Sequence, residues 1–384
     1  MIPYSCQNIV QEDIDAVDKA LRAEFVTQGP TIAAFEQAFA QRHQVAHGVA
    51  VSSATAGLHI ACLALGVGPG SRVWTSPNSF IASANCALYC GAEVDFVDID
   101  ARSRNMSLQA LESKLLHARS TGKLPQVVIP VDFSGLPNDM RPMRELADAF
   151  GFKLLEDASH ATGASYLERP AGSMFAHASV FSFHAVKIVT TAEGGMVTTP
   201  DARLAQHLRS LRSHGMTRDP LEMDGESEGG WYYQQQLLGF NYRMTDLQAA
   251  LGLSQLARLD SMHARREALV ERYDRLLAGL PLLLPPRYAD RRSSWHLYVI
   301  EIDETRTSTS RAEVYKALRA AGIGVNVHYI PIHRQPFYSR RGFKRGDFPV
   351  SEHYYSRAIS IPLFPALTEE QQDFVAQRLV EALS

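Results

Sequence analysis

The chain reads as an α/β protein: a mostly parallel seven-stranded sheet flanked by helices, with a smaller α+β part at the C-terminal end. Two observations predict this. Seven short apolar segments alternate with helical patterns between residues 49 and 199, the rhythm of a parallel sheet covered on both faces. At 384 residues the chain is also longer than one core usually fills, so two domains are expected. The change of rhythm in the long helical stretch from Met244 to Leu277 places a large domain at residues 1–250 and a small one at 251–384.

The elements follow in order. Ile14, Val17, Leu21 and Phe25 recur at three- and four-residue spacing and predict an amphipathic helix over residues 11–24. Thr27-Gln28-Gly29-Pro30 breaks it, and a second helix carries Phe35, Phe39 and His43. Val49-Ala50-Val51 is a strand. It runs through the small residues Ser52 to Gly57 into an apolar helix, an order that presents backbone N–H groups to an anion. Strands are expected at 72–75, 93–97, 127–131, 152–156, 179–183 and 195–199, with helices at 82–88, 108–117 and 140–150 between them. Gly194-Gly195 marks a tight reversal, and the polar stretch 217–230 a surface loop. The C-terminal part holds strands at 297–302 and 324–328 and a helix at 311–321. A last helix opens on the capping box Thr368-Glu369-Glu370-Gln371.

Composition narrows the function. Net charge is −3, so bulk electrostatics give no reason to expect nucleic acid or a membrane surface as partner. No apolar run approaches the length of a bilayer span, and the first residues lack a basic and apolar leader. Four cysteines, mostly among small apolar residues, suit reduced buried thiols in the cytoplasm. No histidine or cysteine spacing resembles a zinc site, so no metal is expected.

The chemistry centres on Lys187 and Asp157. Lys187 has apolar flanks (Val186, Ile188, Val189), which suggest partial burial and an amine freed from its proton. Such an amine attacks an aldehyde cofactor. Asp157 ends an apolar strand, where parallel sheets place their ligands. A carboxylate there can keep the pyridine nitrogen of pyridoxal phosphate protonated, making the ring an electron sink. Glu156 points to the other side of the strand and is the weaker choice. Ala54 and Thr55 offer N–H groups and a hydroxyl to a phosphate, Ser182 a second hydroxyl, and Phe80 a face for stacking. Each has an ordinary structural reading when taken singly: surface lysine, helix cap, core phenylalanine. Of the fourteen histidines, His160 and His184 flank the proposed site by sequence.

Several motifs together resemble one family. Gly29-Pro30, Ser53-Ala54-Thr55, Thr75 to Phe80, Glu156 to Ala161, Ser182-Phe183-His184 with Lys187 and Glu193-Gly194-Gly195, and Gly239 to Met244 come in the order of the sugar-nucleotide aminotransferases, the DegT-type family of fold-type I pyridoxal phosphate enzymes. The resemblance covers nearly the whole chain. It implies that Lys187 carries pyridoxal 5'-phosphate and moves the proton in catalysis, that Asp157 holds the pyridine nitrogen, and that Phe80 and His160 lie against the ring. Ala54, Thr55 and Ser182 then resemble phosphate ligands. Asn241 resembles one donated by the neighbouring subunit, so a homodimer with shared active sites is implied. Arg243 resembles a residue that neutralises a nucleotide diphosphate, and Gln28, His328 and Tyr329 resemble substrate contacts.

Within the family the likeness is to the transaminases of pseudaminic acid biosynthesis, carried by Ile2 to Ser5, Thr27 to Pro30, Leu211 to Arg218 and Asn326 to Pro331. Ala185 and Ile188 stand where that pattern has prolines, and Cys6 where it has a lysine-like residue. The implied reaction moves an amino group from L-glutamate, leaving 2-oxoglutarate, to C4 of a UDP-linked 4-keto-6-deoxy amino sugar. Three rivals stand beside it: another nucleotide-linked 3- or 4-keto sugar, a sugar dehydratase using the same cofactor, or a non-catalytic regulator. The dehydratases of this kind replace the lysine with histidine, so Lys187 argues against that reading.

Overall fold

The computed structural model describes residues 1–383. The first part of the chain forms α1 (Gln11–Leu21), α2 (Pro30–Arg42), β1 (His47–Val51), α3 (Ala54–Ala64), β2 (Arg72–Thr75), α4 (Ala82–Tyr89), β3 (Glu93–Phe96), α5 (Leu108–Thr121), β4 (Val127–Ile129), α6 (Met140–Phe150), β5 (Lys153–Asp157), β6 (Ala178–Ser182), β7 (Gly195–Thr199) and α7 (Ala202–Arg212). The second part holds α8 (Asp246–Ala257), α9 (Leu259–Leu276), β8 (Leu282–Leu283), β9 (Tyr298–Ile302), α10 (Arg311–Ala320), α11 (Pro336–Ser339), α12 (Pro349–Arg357), β10 (Ala358–Ile361) and α13 (Glu369–Leu383).

The seven strands lie in the order β1-β7-β6-β5-β4-β2-β3. Only β7 runs against the others. The sheet is therefore mostly parallel, as its continuous apolar strands predict. One face buries Val51, Leu155, Val180 and Val197 under Leu58 and Ile60 of α3. The other buries Phe181 and Met196 under Phe35 and Phe39 of α2, and Leu154 and Val128 under Leu111 and Leu115 of α5. Phe39 stacks on His43 one turn later, ring centroids 4.0 Å apart, and meets Phe183 edge-on at 5.3 Å. That packing fixes the chain just past the end of β6.

The second sheet is antiparallel, in the order β8-β9-β10. The first residues of the chain border it: Ile2 pairs with Ile323, and the Leu363 N–H donates to the Tyr4 carbonyl at 3.0 Å. The expected capping box of the last helix is present, with Thr368 and Gln371 exchanging bonds of 3.0 and 3.2 Å.

Three local expectations change. The helical stretch from Met244 is two helices, broken at Arg258, and the boundary expected at 250/251 falls inside α8. The strand expected at 324–328 is reduced to isolated bridges at Ile323 and Asn326. The expected apolar stripe does not face the core: Ile14 and Leu21 of α1, and Phe25 beyond its end, are exposed. What α1 buries is Ala20 and Asp13, and the Asp13 carboxylate takes bonds from Ser254, Gln255 and Arg258. No described helix is long and apolar enough to cross a membrane.

Candidate active site

The rim formed by the C-terminal ends of the parallel strands carries the site, the position open α/β sheets give to ligands. After β1, Ser53 caps α3, its Oγ accepting from the Ala56 N–H at 3.1 Å. Among the described residues no acceptor is bonded to the N–H groups of Ala54 and Thr55. They stand at the positive end of an eleven-residue helix. The approach of α3 to β7 requires the glycine at 195. A Cβ there would lie 2.7 Å from the Ala54 nitrogen and 2.9 Å from the Phe181 carbonyl oxygen.

Asp157 ends β5 and is buried. Its carboxylate accepts from the Ser83 hydroxyl at 2.6 Å and from the Ser159 N–H at 3.1 Å, so its orientation is set from two sides. Lys187 follows β6 in a loop tied by the bonds Lys187 N–H to His184 C=O and Thr191 N–H to Phe183 C=O, both 2.9 Å. The lysine is partly buried at the cleft wall. Desolvation lowers its pKa to about 8, against the opposing pull of Asp157.

His160 has its tautomer assigned by its partners. Its Nδ1 accepts from the Ser134 N–H at 3.2 Å, so the proton sits on Nε2, which faces the Tyr329 hydroxyl at 3.2 Å. Burial and the nearby Lys187 charge push its pKa well down, and the imidazole stays neutral. His328 bonds the Ser360 hydroxyl at 2.7 Å, and burial lowers its pKa to about 4. The His296 ring lies 4.4 Å from that of His160.

A single cleft of about 1190 Å³ brings Ala54, Thr55, Phe80, Asp157, His160, Ser182, Lys187, His328 and Tyr329 together. Phe80 stands 58% exposed at its mouth. Three expected residues are not in it: Gln28 and Asn241 are exposed elsewhere on the surface, and Arg243 is half-buried outside it. Glu156 faces away from the cleft, taking a 2.6 Å bond from Ser179. The cleft also gathers residues to which the sequence assigned no site role: Ser83 and His296, and Tyr4 and Asn326 from two of the motifs that carry the resemblance. Ser83 is the single serine of α4, and nothing in its neighbourhood along the chain ties its hydroxyl to Asp157, 74 residues away. The others come from distant parts of the chain.

Residues 7–380 match the model of the DegT/DnrJ/EryC1/StrS aminotransferase family. Over 379 residues the chain is 39% identical to the spore coat polysaccharide biosynthesis protein SpsC of Bacillus subtilis, covering 98% of this chain and 95% of that one. PseC of Helicobacter pylori, an aminotransferase involved in the biosynthesis of pseudaminic acid, superposes with a TM-score of 0.91 at 30% identity, covering 100% of this chain and 99% of that one. Spr1654 of Streptococcus pneumoniae, solved in its PMP form, superposes with a TM-score of 0.90 at 30% identity over 100% and 99%. The chain thus belongs to the DegT/DnrJ/EryC1/StrS aminotransferases and is a sugar aminotransferase dependent on pyridoxal phosphate.

Proposed function

We propose that the protein moves the amino group of L-glutamate to C4 of a UDP-linked 2-acetamido-2,6-dideoxy-4-hexulose, giving UDP-4-amino-4,6-dideoxy-N-acetyl-β-L-altrosamine for pseudaminic acid biosynthesis. The likeness to PseC along the full chain supports this substrate. The observation that carries the chemistry is one cleft holding a lysine amine, a fixed carboxylate and the unbonded N–H groups of a helix start.

These residues fit the cofactor. The Ala54 and Thr55 N–H groups and the Ser182 hydroxyl suit its phosphate, and the absence of a Cβ at Gly195 keeps that corner open. Asp157 suits the pyridine nitrogen, and Lys187 the aldehyde. When bound, pyridoxal phosphate supplies an electron-withdrawing ring that stabilises negative charge on the carbon next to the transferred nitrogen. Asp157, held by Ser83 and Ser159, keeps a proton at the ring nitrogen. The Lys187 Nζ, with a pKa near 8, takes a proton from the donor carbon and returns one to the sugar carbon, acting as base and then as acid. Neutral His160, on the wall of the same cleft, would add no competing positive charge beside the ring.

The active assembly in this reading is a homodimer. Asn241 and Gln28 lie outside their own cleft, as residues serving the neighbouring copy would. The exposed apolar stripe of α1 offers surface for such a partner. The higher identity to SpsC favours a second reading, the same chemistry on another nucleotide-linked 3- or 4-keto-6-deoxy sugar.

The visible spectrum of the purified protein tests the proposal. The yellow band of lysine-bound cofactor should fade with glutamate and return with the UDP-linked 4-keto sugar. Return only with a different nucleotide-linked keto sugar selects the second reading. A Lys187→Ala chain that still turns over would overturn the assignment of the amine.

A further inference from the structure

The cleft volume of about 1190 Å³ exceeds the usual range for a small-molecule site. Lys187 and Asp157 occupy the part beside β5 and β6. Another part of the wall is built by α11 and the turn after it, through Phe337, Tyr338 and Arg341. Arg341 also borders a groove with Arg72 and Glu93 at the sheet edge formed by β3. That edge is three strands from β5, roughly 14 Å by ordinary strand spacing.

Charge in this corner is unbalanced. The segment 340–345 holds Arg340, Arg341, Lys344 and Arg345, in a chain whose net charge is −3. Of the nearby acids, Glu93 is paired with Arg72 at 3.0 Å and Asp95 with Lys114 at 2.7 Å. Glu352 bonds His333 at 2.8 Å and lies 3.9 Å from Arg345. Asp347 caps the Lys344 N–H at 2.7 Å. Among the described residues no carboxylate comes within ion-pair distance of Arg341. Its guanidinium lies over the Phe337 ring, 4.7 Å from the centroid, which orients the fork. Phe337 (46% exposed) and Tyr89 (55% exposed) leave aromatic surface open in the same cleft.

We infer that Arg341 anchors the anionic carrier of the sugar, a nucleoside diphosphate, in this outer part of the cleft. The planar guanidinium matches phosphate oxygens bidentately, and the exposed aromatic faces suit a base or ribose. The inference rests on the reading that the substrate is a nucleotide-linked sugar, and it makes Arg341 a determinant of affinity for the carrier.

The test compares wild type with Arg341→Gln and Arg341→Lys. In Arg341→Gln, KM for the keto sugar nucleotide and the dissociation constant of UDP should both rise about tenfold or more, the loss expected of a charge-assisted contact. The half-reaction with glutamate, in which no nucleotide takes part, should keep its rate. Arg341→Lys, which keeps the charge but loses the fork, should fall between the two. Unchanged UDP affinity in Arg341→Gln, or no UDP binding to the wild type, overturns the inference. An equal loss in the glutamate half-reaction overturns it too, since that marks a general structural effect. If the wild type rejects keto sugar nucleotides yet Arg341→Gln weakens UDP binding, the substrate reading fails while the anchor stands.

Discussion

At the scale of single residues, the site depends on how the protein treats one amine. With a pKa near 8, the neutral form of Lys187 grows as pH rises from 7 to 9, so covalent capture of pyridoxal phosphate by the apoprotein should accelerate over that range and then level off. Stopped-flow absorbance checks this; a rate still climbing steeply at pH 10 would place the amine at its ordinary pKa. The same shift has a stability sign. The folded pKa is depressed below 10.5, so the unfolded chain binds the extra proton between about 8 and 10.5, and the apoprotein gains stability as pH rises through that window. Lys187→Met should therefore raise apoprotein stability at pH 7 by about 2 kcal/mol, less than the full shift implies because the cleft admits solvent. Denaturant unfolding measures it. Lys187 was legible because its apolar flanks announce burial, and Asp157 because a carboxylate ends an apolar strand. Ser83, which orients that carboxylate, carried no such signal. Tyr4 and His296 reach the cleft only through tertiary folding.

At the scale of elements, the placement of α3 against β7 is the decisive contact. Gly195→Ala would drive a methyl group to 2.7 Å from the Ala54 nitrogen, between two backbones that have no flexible end to yield. The helix start must shift, and with it the N–H groups offered to the phosphate. We expect cofactor affinity to fall at least tenfold while the far-ultraviolet spectrum is unchanged; equilibrium dialysis against pyridoxal phosphate reads the first quantity and circular dichroism the second. The sheet was legible because buried parallel strands are written as short apolar runs between turns. The break at Arg258 was not, since apolar periodicity continues across it. The stripe of α1 shows a different limit. Periodicity names a face, but not what covers it, and here that face lies exposed on the single chain.

At the scale of the whole molecule, burial of neutral histidines sets the response to acid. Burial lowers the pKa of His43, His177, His263 and His328 to about 4, and pushes His160 and His296 well down. As pH falls below 6.5 the unfolded chain takes up these protons first, so stability drains between about 6.5 and 4. Calorimetry should show Tm falling steadily from pH 6.5 to 4.5; a flat profile would contradict the burial of these rings. A homodimer should appear as twice the 42.5 kDa chain mass in light scattering, and a monomer that turns over would remove the shared-site reading. The pairing of Ile2 with Ile323 has one more consequence. During synthesis the first residues leave the ribosome more than three hundred residues ahead of the partner they will border. Tyr4, at the cleft wall, waits with them. The cleft thus reaches its final form only after residues 323–329 have been made, and a nascent chain halted before residue 323 would carry Lys187 and Asp157 without the wall that Tyr4, His328 and Tyr329 supply.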